Sequence, residues 1–103
     1  MTTETITEIK LDEKLEQDIQ PPKKYKVILL NDDRTPMEWV VGILIEVFKH
    51  DSRTAKELTM SIHTEGSGIA GIYSFEVAES KTNETITASR NAGFPLRVKL
   101  EEE

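Results

Sequence analysis

Tyr25-Lys26-Val27-Ile28-Leu29-Leu30-Asn31-Asp32-Asp33-Arg34-Thr35-Pro36-Met37-Glu38-Trp39-Val40 decides how this chain folds. Lys24–Leu30 is β-rich and largely apolar, the pattern of a strand covered on one or both faces. The run stops at three short polar acceptors, Asn31, Asp32 and Asp33. Thr35-Pro36-Met37-Glu38 then reads as a helix start: Thr35 as N-cap, Pro36 pre-setting φ at the first helical position, Glu38 completing a capping box. Behind it Met37, Val40, Val41, Leu44, Val47 and Phe48 recur at helical spacing as one stripe, which Trp39 and Ile43 widen. A polar turn wedged between two apolar elements sets carboxylates beside hydrophobic surface. Such a site suits a ligand that is cationic at one end and apolar at the other.

His50-Asp51-Ser52 breaks the pattern, and Asp51 or Ser52 can cap a second helix over about residues 53–63. Its apolar face is Ala55, Leu58 and Ile62, with Thr59 adjoining, and Gly66 is placed to end it with a left-handed residue. Residues 68–73 read as a short strand whose glycines permit close packing. Ser74 can cap a third helix over Phe75–Asn91, weakened by the Thr-rich run at 82–87 and ended by Gly93 and Pro95. Phe94, Leu96, Val98 and Leu100 alternate with Pro95, Arg97 and Lys99 in a half-buried closing strand. The expected fold is therefore α+β, a single small domain of order β-α-α-β-α-β. It pairs a three-stranded antiparallel sheet with three helices on one face.

Residues 1–20 have no aromatics and only Ile6, Ile9, Leu11, Leu15 and Ile19 as sizeable apolar side chains. With Pro21-Pro22 they are expected to form a flexible acidic extension over 1–22, ahead of a core domain at 23–103. The chain has 103 residues, 37% hydrophobic and 31% charged, which fits one small soluble globular domain. Its net charge of −6 is uneven. Residues 1–22 carry six acids against two lysines, hence −4; the other 81 carry thirteen acids against eleven bases, hence −2. An acidic surface without clustered Lys and Arg argues against nucleic-acid binding. Apolar runs fall far short of the ~20 residues of a membrane span, and no signal sequence opens the chain. Zero cysteines exclude disulfides, a thiolate metal site and a Cys nucleophile. A cytoplasmic protein is expected.

Asn31, Asp32 and Asp33 admit three chemistries. Paired carboxylates serve acid/base catalysis, but no nucleophile or phosphate-cradling loop accompanies them. With His63 they could hold a metal for a small hydrolase, although the spacing matches no metal motif. The plainest reading is an Asx turn feeding a helix N-terminus. His63, at the end of the second helix, reads alone as a C-terminal cap. An imidazole and a carboxylate together, however, can accept the N–H bonds of an ammonium group.

The segment from Tyr25 to Val40 resembles the signature of the ClpS family, adaptors of the bacterial Clp protease system that read N-end rule degradation signals. The similarity continues through Ile62-His63-Thr64-Glu65-Gly66, Gly71-Ile72-Tyr73-Ser74-Phe75-Glu76-Val77-Ala78-Glu79-Ser80-Lys81 and Pro95-Leu96-Arg97-Val98. The resemblance implies a monomeric binding module, neither an enzyme nor a cofactor or metal protein. In the family, residues matching Asn31, Asp33 and His63 hold the free α-amino group of a substrate protein's first residue. The position of Asp32 lies beside the backbone that follows. Positions matching Leu29, Leu30, Thr35, Met37, Val40, Thr59, Ile62 and Leu96 surround the first side chain, usually Phe, Tyr, Trp or Leu. Those matching Glu76 and Lys81 meet the N-terminal domain of a ClpA- or ClpC-type AAA+ ATPase, and the N-terminal arm hands substrate over. A second reading is a ClpS-like modulator that mainly occupies the ATPase. Two positions depart from the pattern: Thr59 stands where well-known members carry Met, and Arg34 where an aromatic is common.

Overall fold

The computed structural model describes residues 21–103; the expected extension over 1–22 lies almost wholly outside them. Strand β1 (Lys24–Leu30) is followed by helices α1 (Met37–Glu46) and α2 (Ser52–Glu65), strand β2 (Ser67–Ser74), helix α3 (Phe75–Asn91) and strand β3 (Arg97–Glu102). The sheet has the order β2-β1-β3 and is antiparallel throughout. The expected β-α-α-β-α-β architecture is present.

Alternation along β1 divides the sheet. Val27 and Leu29 are fully buried and join Val40, Ile43, Leu44, Val47, Phe48, Ala55, Ile62, Ala78 and Leu96 in one core under the helices. The opposite face pairs Lys26 with Ile72 and Glu101, and Ile28 with Ile69 and Lys99. A bulge falls between Val27, paired with Gly71, and Ile28, paired with Ile69, so Ala70 is the extra residue. His50, at the corner between α1 and α2, donates its Nε2–H to the Ala70 carbonyl at 2.5 Å and ties that corner to the bulge.

Helix starts follow local chemistry, with two corrections. Asp51 caps α2 as expected, accepting from the Thr54 N–H at 2.7 Å, and Gly66 ends it at φ 93°. The capping box at Thr35 does not form. Pro36 is the residue preceding α1, whose first turn has no side-chain cap. Thr35 thus lies one residue before the cap position, and its hydroxyl donates to Asp32 Oδ2 at 2.7 Å, which ties it to the turn. Ser74 likewise precedes α3 without a side-chain cap bond.

The Thr-rich stretch does not shorten α3; it forms the inner face. Ala78, Thr82, Thr85 and Ser89 are buried at helical spacing. Thr85 returns its hydroxyl proton to the Lys81 carbonyl at 2.8 Å, and Ser89 bonds the Phe94 carbonyl at 2.9 Å. Side chains this small let the helix lie close to the sheet. Thr82 Oγ1 is the buried side-chain oxygen without a partner among the described residues.

Candidate functional site

The turn leaving β1 is built on one carboxylate. Asp32 Oδ1 accepts from the N–H groups of Arg34 (2.8 Å) and Thr35 (2.7 Å), while Oδ2 takes the Thr35 hydroxyl. Partial burial pushes the Asp32 carboxyl upward, but the bonds from Thr35 and Arg34, with the nearby Arg97 guanidinium, outweigh it and hold the group below the usual carboxylate range. The next contact is longer in sequence. The Asn31 N–H donates to the Gly66 carbonyl at 2.9 Å, fastening the start of the turn to the end of α2. That bond brings Asn31 to the side of His63, which lies in the last turn of α2.

Between these two ends opens a cleft lined by Leu30, Asn31, Asp32, Thr35, Met37, Val40, Thr59, Ile62, His63 and Leu96. Of its polar members, Asn31, Asp32, Thr35 and His63 come from the strand-end turn and the helix end, and Thr59 from within α2. Its apolar members come from β1, α1, α2 and the segment entering β3. The free space is about 10 Å³, room for roughly one water. Met37 is 37% exposed, so an unbranched thioether forms the movable part of the wall. Thr59 is buried, its hydroxyl returned to the Ala55 carbonyl at 2.8 Å, which leaves its methyl as the surface available to the cleft.

Two residues expected around this site do not line it. Leu29 is fully buried in the core, because alternation turns it away from the side that Leu30 presents. Asp33 is exposed on the turn, next to the rim and outside the cleft lining. The pair expected at a partner surface separates too. Glu76 is exposed in the first turn of α3. Lys81 is half-buried: its ammonium donates to the Val47 carbonyl at the end of α1 (2.6 Å) and sits 5.3 Å from the Tyr73 ring centroid and 6.0 Å from that of Phe48.

Other residues that shape the cleft had no signal in local pattern. Arg90 Nη1 donates to the carbonyls of Leu96 (2.8 Å) and Phe94 (3.1 Å), clamping the loop that delivers Leu96. Trp39 supports the same loop by an edge contact with Phe94, centroids 5.6 Å apart. Gly68 lies against Ile62, where an added Cβ would come within 2.6 Å of Ile62 Cγ1. Among the described residues, no three His, Asp or Glu side chains cluster as metal ligands, and no helix is long and apolar enough to cross a membrane.

A narrow apolar cleft closed at one edge by polar acceptors defines a small α+β binding domain. A family model described as ATP-dependent Clp protease adaptor protein ClpS matches residues 20–99. The chain is 47% identical over 90 residues to the ClpS adapter protein of Burkholderia thailandensis, spanning 87% of this chain and 86% of that one. It is 46% identical over 90 residues to that of Burkholderia mallei, with the same coverage. The structure of Agrobacterium tumefaciens ClpS2 bound to L-phenylalaninamide matches with a TM-score of 0.77 and 40% identity, covering 80% of this chain and 99% of that one. The chain belongs to the ClpS family of Clp protease adaptors.

Proposed function

We propose that this adaptor reads the first residue of other proteins and brings them to a Clp-type AAA+ ATPase. The observation that carries the proposal is the joining of acceptors and apolar walls in one cleft, Asn31 and His63 at its edge and Met37, Val40, Ile62 and Leu96 within. L-phenylalaninamide, held by the Agrobacterium relative, has a free α-amine, an aromatic side chain, and an amide in place of the next peptide bond. A protein's N-terminal Phe offers the same groups.

In this reading Asn31, Asp33 and His63 accept the three N–H bonds of the ammonium, and Asp33 supplies the opposite charge. Asp32 holds the turn and lies beside the backbone of the second residue. Leu30, Thr35, Met37, Val40, Thr59, Ile62 and Leu96 enclose the first side chain, and Leu29 backs that wall from the core. An aromatic side chain removes roughly 150–250 Å² from water, a gross gain of about 4–6 kcal/mol at 25 cal/mol per Å². Because the cleft holds only about one water, entry requires the walls to part, and Met37 is the side chain free to move. The ATPase docks on the α3 surface that presents Glu76. Lys81 contributes there by holding α3 against the end of α1. No bond is made or broken by the adaptor itself, and it needs no cofactor.

Thr59 sets the range of first residues. A side chain two atoms shorter than Met leaves more depth once the cleft opens, which favours Trp and β-branched Ile or Val beside Phe, Tyr and Leu. Thr59→Met is expected to narrow the ranking across peptides varied at residue one; an unchanged ranking removes Thr59 from the argument. Fluorescence anisotropy with a Phe-initiated peptide and its N-acetylated twin tests the function itself. Acetylation removes the charge and two donors and is expected to abolish binding. If neither peptide binds while the protein still associates with a Clp ATPase, the chain acts as a modulator of the ATPase instead.

A further inference from the structure

The cleft has a neighbour across the same two chain segments. Asp32 and Thr35 line the cleft, whereas Arg34, between them, lines a second groove with Arg90, Gly93, Phe94 and Pro95. Leu96 faces the cleft and Pro95 the groove. This groove is open, about 350 Å³, and no carboxylate lines it. Among the described residues the Arg34 guanidinium has neither a hydrogen bond nor an ion pair. Arg90 commits Nη1 to the Phe94 and Leu96 carbonyls and the Ser89 hydroxyl, and its other guanidinium nitrogens have no partner there. Two arginines without carboxylates thus flank a concave surface on a protein of net charge −6.

We infer that this groove receives an acidic side chain at the second or third residue of the bound protein. The inference rests on the first-residue reading of the cleft. With the first side chain inside and its amine on the rim, the chain that follows has to leave over the turn. An extended chain advances about 3.3 Å per residue, so two or three residues carry it from the Asp32 side of the turn to the Arg34 side. The guanidinium fork matches a carboxylate in shape as well as charge, while the Pro95 and Phe94 floor suits the methylenes of Glu. The pairing is solvent-exposed, so it grades affinity among substrates and is screened by salt.

Anisotropy titrations of the full chain with three Phe-initiated peptides, carrying Glu, Gln or Lys at positions two and three, test this. The expected order is Glu over Gln over Lys, with about a two- to fivefold step from Gln to Glu that closes as salt approaches about 1 M. Arg34→Gln is expected to shrink the Glu-over-Gln step, and the Gln peptide still binds, since the turn uses only the backbone N–H of Arg34. Equal affinities for the three peptides, or a Lys preference in the unaltered protein, overturn the groove assignment alone. Failure of all three to bind overturns the first-residue reading and the groove with it.

Discussion

The rim of the cleft and its walls are held by different forces. The rim is local: Asp32 organises Arg34 and Thr35 through three bonds within four consecutive residues, and a single longer contact, Asn31 to Gly66, docks it on α2. The walls come from four elements far apart in sequence, and only the shared core keeps Val40, Ile62 and Leu96 facing one another. The rim can therefore loosen while the domain stays folded, whereas the walls fail only with the core. In the proposed reading, charge recognition and side-chain recognition, joined in one cleft, are separable by perturbation.

The largest effect is expected on the walls. Leu44 is fully buried and touches no ligand in our reading; Leu44→Ala is expected to lower unfolding free energy by about 2–5 kcal/mol in urea titrations and to weaken first-residue binding along with stability. At the rim, Asp32→Ala removes three bonds and is expected to cost about 0.5–2 kcal/mol, with a larger relative loss of peptide affinity than Leu44→Ala produces per unit of stability. A rim variant that loses stability without losing affinity would erase the distinction.

Acid gives the same contrast without mutation. The Asp32 carboxyl titrates below its ordinary value of 3.8 in the folded chain, so its stabilisation is present above that value and is lost as pH falls through the lower folded one. Between about pH 4 and pH 2 the urea midpoint of the unaltered protein is expected to fall more than that of Asp32→Asn. The smallest effect is expected on α3. Glu76→Gln should leave stability within about 0.5 kcal/mol, whereas Lys81→Met should lower it by about 1 kcal/mol through the lost bond to Val47. Equal thermal shifts for the two would mean that the Lys81 ammonium does not brace the α1 end.

The contrast between rim and walls also governs what the sequence discloses. The strand, the apolar stripe of α1, the Asp51 cap and the Gly66 stop are legible because period and cap chemistry act over a few residues. The choice between partners within one turn is not. Thr35 can accept from a helix N–H or donate to one of three acceptors nearby, and only the folded backbone shows that it lies before the cap and donates to Asp32. Leu29 and Leu30 are alike in type, and alternation separates them once the sheet face is known. Lys81 reads as an exposed helix charge because its acceptor, Val47, lies 34 residues away. Arg90 gives no hint in spacing that it clamps Leu96. The threonines of α3 appear as helix weakeners on propensity, but burial against the sheet turns their small size into an advantage.

In the proposed reading, Gly68 sets the depth of the pocket without lining it. A methyl at this strand position would come within 2.6 Å of Ile62 Cγ1, so Ile62, which lines the cleft, would have to shift. Room for a large first residue thus depends, in that reading, on an atom that is missing beside the wall. In the same reading, Gly68→Ala is expected to shift the preference toward smaller first residues while every ligand-facing side chain stays as it is.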